Sequence, residues 1–290
     1  MKKPLFTGAC TALVTPFLEG KVNYPMLERL LIRQLEAGIC TIVICGTTGE
    51  APTLSDEEKL TMFRRAKECV GKEGIILAGT GSNCTEHAVN LSQQAQEAGA
   101  DGLLCVSPYY NRATAEGLYL HFKAIADAVA IPVILYNVPS RTGVDIPISV
   151  YRRWADVRNI VGVKEASTDI RKILQIKREC PQEFAVWSGN DDMVVPAMSL
   201  GGLGVISVLS NVAPVETQAM AQAALAGDFD TAAALQTELY PLIQLLFCEV
   251  SPIPVKAAMK RIGYDCGDCR LPLSQMGEEN LRKLGKYLGN

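Results

Sequence analysis

The sequence predicts an α/β fold, a (β/α)8 TIM barrel with a C-terminal helical extension. Eight short apolar, β-branched segments recur as far as Val208, and segments with helical periodicity lie between them. The strand-like segments are continuously apolar, which is typical of a parallel sheet covered by helices. The 290 residues also match the length at which such a barrel forms one unit.

The predicted strands are spaced regularly along the chain. They comprise residues 11–15, 41–45, 75–79, 102–106, 133–137, 159–164, 184–188 and 204–208. The first helical segment has an apolar face made of Leu27, Leu30, Leu31 and Leu35. The second is predicted to begin with a capping box formed by Ser55 and Glu58. Eight such units imply a closed barrel.

The chain continues beyond the last predicted strand as helices. Residues 213–227 complete the eighth helix, and three further helices are predicted at 230–247, 254–262 and 277–288. We place a boundary near Gly227, which divides the chain into a barrel catalytic domain, 1–227, and a C-terminal helical domain, 228–290. Because no low-complexity linker separates them, we expect the extension to pack on the barrel.

Composition and charge argue against several classes of partner. The formal net charge is −3 with both signs mixed along the chain, so we expect no nucleic acid partner. The start, MKKPLFTGACTALVTPF, resembles a secretory signal in its two lysines, but Pro4, Gly8 and Pro16 interrupt it, and a first core strand is the better interpretation. No apolar run approaches the ~20 residues of a membrane span, so we expect a cytoplasmic protein without a membrane partner.

The ten cysteines are expected to be reduced. Cys45 and Cys105 lie in strand-like runs, where a thiol behaves as a small apolar side chain. Cys266 and Cys269 form a single CxxC pair without a second pair or nearby histidines, so we expect no structural zinc site there.

The carboxyl ends of five predicted strands carry groups suited to chemistry. In a (β/α)8 barrel the active site lies at these ends. The groups are residues 46–50 (GTTGE), 108–111 (PYYN), 136–141 (YNVPSR), Lys164 and 188–190 (SGN). We expect all of them to face one mouth of the barrel.

Lys164 ends the sixth predicted strand, which is otherwise apolar. A lysine is rarely buried unless it is paired or reactive. An apolar environment disfavours the ammonium form, and the neutral amine is able to attack a ketone and form a Schiff base. The structural alternative is an ion pair with Glu165 or another carboxylate, although Glu165 is expected to point to the opposite face of the strand.

Three other groups at this mouth have both a chemical and a structural interpretation. The GTTG turn presents backbone N–H groups and two hydroxyls that suit a carboxylate, but such residues also form ordinary turns. Tyr136 is a candidate for proton transfer or for simple packing. Arg141 is a candidate clamp for a substrate carboxylate or a surface ion pair. Their convergence at one rim favours the chemical interpretation.

Other catalytic chemistries have less support. His87 and His121 are the only histidines, which disfavours a histidine-built metal site and a Ser-His-Asp arrangement. The chain contains neither a G-x-G-x-x-G motif nor a P-loop. A pyridoxal phosphate enzyme would also use a buried lysine, but no phosphate site is apparent. We therefore expect amine catalysis without a metal or a diffusible cofactor.

Two signature regions resemble those of the dihydrodipicolinate synthase family, within the pyruvate-dependent class I aldolase and lyase superfamily. They are GTTGEAPTLSDEE, and YNVPSRTG followed after a helix by VGVKEAS. The resemblance covers essentially the whole chain. It implies a lyase that condenses pyruvate with L-aspartate 4-semialdehyde to 4-hydroxy-tetrahydrodipicolinate, a step of diaminopimelate and lysine biosynthesis.

The resemblance also implies roles for individual residues. The catalytic residues carried over by motif are Lys164 as the nucleophile, Tyr136 as the proton donor and acceptor, and Thr47 as the hydroxyl linking it to Tyr110 of a neighbouring subunit. The substrate-binding residues are Thr48 for the pyruvate carboxylate, Arg141 for the semialdehyde carboxylate, and Gly189 and Ile206 as pocket lining. A tyrosine supplied by a neighbour implies a homo-oligomer, and a tetramer built as a dimer of dimers is expected.

The sequence leaves two alternatives to the synthase. Related sugar-acid aldolases such as N-acetylneuraminate lyase typically have Ser-Thr where this chain has Thr47 and Thr48, and they lack the arginine found here as Arg141. A pyruvate-releasing sugar-acid aldolase is therefore the less favoured enzyme. A non-catalytic barrel that only binds a keto acid or a protein would have no need of the nucleophile Lys164.

Regulation by L-lysine is expected to be weak or absent. Many members of the dihydrodipicolinate synthase family bind L-lysine between subunits. They use in part histidine and glutamate positions that in this chain are Asp56, Lys59 and His87. Lys59 would repel the ammonium groups of L-lysine, and His87 offers no carboxylate to receive them.

Overall fold

The computed structural model describes residues 4–289, at whose centre parallel strands close into a barrel. Its eight strands are β1 (Gly8–Ala12), β2 (Thr41–Ile44), β3 (Ile75–Gly79), β4 (Gly102–Val106), β5 (Val133–Asn137), β6 (Ile160–Glu165), β7 (Ala185–Ser188) and β8 (Gly204–Ser207). Each strand pairs with its neighbours in the chain, and β8 closes the barrel against β1. A two-stranded hairpin, Phe17–Leu18 with Lys21–Val22, follows β1. The predicted fold class is confirmed.

The position of the first strand differs from the prediction. The other seven strands lie within one residue of the predicted bounds, but β1 spans Gly8–Ala12 and the predicted range 11–15 is wrong. Hydrogen-bonded register decides this position, because Gly8 lies opposite Gly204 of β8. Residues 13–15 stay buried after the strand has ended, and the Thr15 hydroxyl donates to the Gly49 carbonyl at 2.6 Å. Apolar character located the buried segment but not its pairing.

Helices alternate with the strands and form the outer layer. They are α1 (Tyr24–Glu36), α2 (Asp56–Val70), α3 (Thr85–Glu97), α4 (Ala115–Ala128), α5 (Pro139–Thr142), α6 (Ile148–Ala155), α7 (Arg171–Glu179), α8 (Val194–Ser199) and α9 (Pro214–Leu225). Leu27, Leu30 and Leu31 are fully buried, as the apolar face of α1 predicts. The capping box of α2 is also confirmed, because the Glu58 N–H donates to the Ser55 hydroxyl and the Ser55 N–H donates to the Glu58 carboxylate.

Side chains fill the inside of the barrel. The inward residues Cys10, Val43, Leu77, Leu104, Ile134 and Ile206 belong to one buried cluster. Phe6, just before β1, stacks on Trp187 with ring centroids 4.7 Å apart, and the Trp187 indole N–H donates to the Phe6 carbonyl at 3.3 Å. The barrel is therefore a packed core, which leaves the carboxyl ends of the strands for a site.

In the described part of the chain, three helices follow α9. They are α10 (Phe229–Leu246), α11 (Ile253–Arg261) and α12 (Glu278–Leu288), each within one residue of its predicted bounds. Leu239, Leu242 and Ile243 of α10 share a buried cluster with the barrel helices, so the extension packs on the barrel as expected. The boundary near Gly227 stays a prediction, and residues 1–3 and 290 of the two proposed domains lie outside the described residues. Within residues 4–289, no helix is both long enough and apolar enough to cross a bilayer.

All ten cysteines are free thiols. Cys45 and Cys105 are buried as predicted, and burial raises the pKa of Cys105 to about 12. Burial likewise raises the pKa of Cys266 and of Cys269 to about 12, so both thiols of the CxxC pair are protonated at neutral pH. Among the residues that the structure describes, no group of three or more His, Cys, Asp or Glu side chains is arranged to hold a metal ion.

Candidate active site

The ends of β5 and β6 bring Tyr136 and Lys164 together. The two residues lie opposite each other in the strand register, so their side chains share the inner face of the barrel. Lys164 is 5% exposed and Tyr136 is 7% exposed. Lys164 Nζ lies 4.4 Å from the centre of the Tyr136 ring. The Lys164 amine and the aromatic ring of Tyr136, both shielded from water, are thus in contact at the barrel mouth.

The residue after Lys164 points away from the barrel interior, as predicted. The Glu165 carboxylate accepts hydrogen bonds from the Asn137 side chain at 3.0 Å, from the Ser167 N–H at 2.7 Å and from the Tyr151 hydroxyl at 3.4 Å. Burial raises the pKa of Glu165, and the hydrogen bonds from Ser167 and Asn137 partly oppose this shift. The partners of Glu165 therefore lie on the outer face, and the structural alternative of a Lys164–Glu165 pair is not realised.

The GTTG turn that follows β2 forms one wall of the site. A hydrogen bond from the Glu50 N–H to the Thr47 carbonyl, 3.1 Å long, closes the turn. Thr48 is buried, whereas Thr47 lines the open cleft. The backbone just before the turn approaches β3 so closely that a Cβ at Gly79 would lie 2.1 Å from the Cys45 carbonyl oxygen. Turns of this kind offer N–H groups and hydroxyls to a carboxylate.

Arg141 and Tyr110 lie at the outer rim. Arg141 is in the short helix α5, directly after β5, and its Nη2 donates to the Ser251 carbonyl of the C-terminal extension at 3.3 Å. Tyr110 is 90% exposed and has a left-handed φ of 70°. Within the single chain, Arg141 therefore has a place beside the site, whereas the ring of Tyr110 projects into solvent.

The two predicted lining residues lie deeper. The Gly189 N–H donates to the Glu165 carbonyl at 2.7 Å, which sets the end of β7 beside β6. A Cβ at Gly189 would lie 3.0 Å from Lys164 Cε, so the absence of a side chain leaves room for the lysine. Ile206 is fully buried in the inner cluster of the barrel.

A cleft of about 780 Å³ opens at this mouth. Its lining includes Thr47, Tyr109, Tyr136 and Arg141, and it extends to Asp56, Lys59 and His87. Asp56 binds both of its neighbours, with its carboxylate 3.0 Å from Lys59 Nζ and 2.7 Å from His87 Nε2. Burial acts to raise the pKa of Asp56, but the hydrogen bonds from His87 and Lys59 outweigh it and lower that pKa.

Two buried acids lie near the site: Asp191, which the sequence analysis does not name, and Glu50, which it names only as part of the GTTGE segment and without a role. Asp191 follows β7, and its Oδ2 accepts the N–H groups of Val208 and Leu209 at 2.9 Å. Burial raises the pKa of Asp191. Glu50, the last residue of the GTTGE segment, pairs with Lys256 at 2.8 Å. The position after a strand end marks both acids locally, but only the folded chain reveals their partners.

Comparison with known proteins agrees with this geometry. The model of the dihydrodipicolinate synthetase family matches residues 5–290. The 4-hydroxy-tetrahydrodipicolinate synthase of Acetivibrio thermocellus is 50% identical over 288 residues, which are 99% of this chain and 98% of that protein. The crystal structure of dihydrodipicolinate synthase from Aquifex aeolicus has a TM-score of 0.96 at 43% identity, covering 98% of this chain and 97% of that one. The chain therefore belongs to the dihydrodipicolinate synthetase family.

Proposed function

We propose that this protein condenses pyruvate with L-aspartate 4-semialdehyde to 4-hydroxy-tetrahydrodipicolinate, through a Schiff base on Lys164. The observation that carries the proposal is the buried contact between Lys164 and Tyr136, 4.4 Å from Nζ to the ring centre. The names of the relatives, each similar to the chain over nearly its full length, support the same reaction.

The chemistry needs one amine and a route for protons. The Lys164 amine adds to the keto carbon of pyruvate, and loss of water gives the Schiff base. Removal of a methyl proton then gives an enamine, whose carbon attacks the aldehyde carbon of the semialdehyde. The amino group of the condensed substrate displaces Lys164 and closes the ring, so the amine is regenerated. Overall, one molecule of pyruvate and one of semialdehyde yield the product and one molecule of water.

The neighbouring residues are assigned to these steps by chemistry and position. Tyr136 is assigned as the proton donor and acceptor, because its ring lies beside the Lys164 amine and its hydroxyl can both donate and accept. Thr48 and the N–H groups of the GTTG turn hold the pyruvate carboxylate. Arg141 clamps the semialdehyde carboxylate with its planar fork of donors. Gly189 and Ile206, which do not line the open cleft, are assigned to the deeper surroundings of the adduct.

The proton route is completed by a second copy of the chain. Thr47 links Tyr136 to Tyr110 of the partner subunit. The 90% exposure of Tyr110 supports this assignment, since the ring has a free surface to offer a neighbour. We therefore propose a homo-oligomer, assembled as a tetramer of two dimers. Ten free cysteines support a location in the reducing cytoplasm.

Steady-state kinetics test the proposal. The kcat/KM for condensation with the semialdehyde is compared with that for pyruvate-releasing cleavage of a sugar acid such as N-acetylneuraminate. We expect a clear preference for the semialdehyde, and loss of the reaction in Lys164→Met. Lys260→Met is the control, because Lys260 pairs with Asp265 at the surface of α11. Preference for the sugar acid, or full activity of Lys164→Met, would refute the proposal.

A further inference from the structure

The turn that carries Thr47 and Thr48 is anchored to the C-terminal extension by a buried ion pair. Glu50 ends this turn, and its Oε1 lies 2.8 Å from Lys256 Nζ in α11. The side chains of Glu50 and Lys256 are 0% and 3% exposed. Two residues 206 positions apart in the chain are thus joined beside the proposed pyruvate site.

Glu50 is held at both its backbone and its side chain. Its N–H donates to the Thr47 carbonyl at 3.1 Å, and its carbonyl accepts the Thr53 N–H at 2.9 Å. Oε1 accepts from Lys256, and Oε2 accepts the Arg270 N–H at 2.8 Å. Its φ of 55° is left-handed, a conformation that a residue with a side chain keeps only when its surroundings impose it. The end of the turn is therefore set by these contacts.

The C-terminal extension supplies its contacts from two segments. Lys256 Nζ donates to the Asp268 carbonyl at 3.1 Å and lies 4.3 Å from the centre of the Phe17 ring. The Arg270 guanidinium pairs with the Glu58 carboxylate at 2.6 Å, in the first turn of α2. The loop between β2 and α2 is consequently held at Glu50 by Lys256 of α11 and at Glu58 by Arg270.

We infer that the Glu50–Lys256 pair is a positioning device, which holds Thr47 and Thr48 in the orientation that receives the pyruvate carboxylate. This inference rests on the proposed function. A buried ion pair adds little net stability compared with an apolar pair of similar volume, because desolvation offsets the attraction. Charge-assisted hydrogen bonds are directional, however, and a small displacement of a substrate-binding group strongly weakens its action.

Variants on both sides of the pair test the inference. Lys256→Met leaves the Glu50 charge buried without its partner, whereas the double variant Glu50→Gln/Lys256→Met leaves no charge and keeps a side-chain oxygen for the Arg270 N–H. Lys260→Met, in the same helix but at the surface, is the matched control. For each folded protein, borohydride trapping of pyruvate on Lys164 is measured as a function of pyruvate concentration, together with Tm and the KM for each substrate.

We expect the double variant to regain most of the Tm lost in Lys256→Met, yet to need about tenfold more pyruvate or more for half-maximal trapping. Trapping at saturating pyruvate should still reach completion, and Lys260→Met should match the wild type. If the double variant regains both Tm and the wild-type pyruvate dependence, the pair serves stability alone and the inference is overturned. Failure of the wild type to trap pyruvate on Lys164 would instead refute the proposed function itself.

Discussion

Replacing Asn137 with alanine is expected to weaken the joint between β5 and β6, by which we mean the hydrogen bonds from Asn137 to Glu165. Tyr136 and Lys164 are the residues that precede them in the two strands. The Asn137 amide group donates to Asp145 at 2.9 Å and to both carboxylate oxygens of Glu165 at 3.0 Å. Its oxygen accepts the N–H of Ile146 at 3.1 Å. Asn137 and Glu165 are both buried, so water cannot reach the Glu165 carboxylate unless the structure opens, whereas the side chain of Asp145 is half exposed.

The size of the loss follows from these partners. A hydrogen bond to a charged group contributes roughly 1.5–3 kcal/mol, and a neutral one contributes about 0.5–1.5 kcal/mol. Asn137→Ala removes the donor for two carboxylates and the acceptor for one N–H, but Glu165 keeps Ser167 and Asp145 keeps Lys172 as partners. Water can replace the bond to the half-exposed Asp145, so the loss comes from Glu165 and from the Ile146 N–H, and we expect about 2 to 4.5 kcal/mol in the free energy of unfolding. The corresponding fall in Tm is roughly 4 to 18 °C.

Urea denaturation at pH 7 measures this loss. Asn190→Ala is the matched control, because the Asn190 side chain donates to one neutral carbonyl, that of Ser167, at 3.0 Å on the same rim. The control should lose only about 1 kcal/mol. Borohydride trapping should also slow in Asn137→Ala, because Tyr136 and Lys164, the proposed catalytic residues, adjoin Asn137 and Glu165 in the chain. If Asn137→Ala proves as stable as Asn190→Ala, the joint does not secure the strand ends and the reasoning is refuted.

Three further outcomes are expected. Arg141→Met should raise the KM for the semialdehyde about tenfold to a hundredfold and leave pyruvate trapping unchanged, since only the second substrate loses a partner. Steady-state kinetics with each substrate varied in turn measure both KM values, and an equal rise in both would contradict this prediction. L-lysine should inhibit weakly or not at all, because Asp56 is already paired with Lys59 and His87; half-inhibition at low L-lysine in initial-rate assays would overturn this. Burial lowers the pKa of His121 to about 4, below the ~6.5 of the unfolded chain. The unfolded chain therefore binds a proton at His121 before the folded protein does, so the free energy of unfolding is highest above pH 6.5 and falls as the pH drops towards 4. Urea titrations should show that, between pH 7 and pH 5, the free energy of unfolding falls by about 2 kcal/mol more in the wild type than in His121→Gln. Equal losses in the two proteins would contradict this prediction.

The positions of the central residues of the candidate site could be predicted because these residues follow local patterns. The apolar runs before Tyr136 and Lys164 identify both residues as strand ends, and a parallel barrel collects its strand ends at one mouth. The outward direction of Glu165 also follows from the alternation of side chains along a strand. The first strand lies three residues earlier than predicted, because residues 13–15 are as apolar as the strand itself and composition carries no information on hydrogen-bonded register.

The remaining features depend on contacts between distant parts of the chain. No local pattern pairs Glu50 with Lys256, because the two residues are 206 positions apart and meet only in the folded chain. The hydrogen bond from Arg141 to Ser251 has the same origin. Both contacts join the barrel to the C-terminal extension, so the extension braces the site at two places although it contributes none of the proposed catalytic residues.

Mapping the site of the pyruvate adduct tests the central claim most directly. The wild-type protein is incubated with pyruvate, reduced with borohydride and digested, and mass spectrometry locates the added mass. We predict a single adduct on Lys164, present also in Lys260→Met and absent from Lys164→Met. An adduct on a different side chain, or no adduct in a preparation that turns over both substrates, would contradict a mechanism based on the buried amine of Lys164.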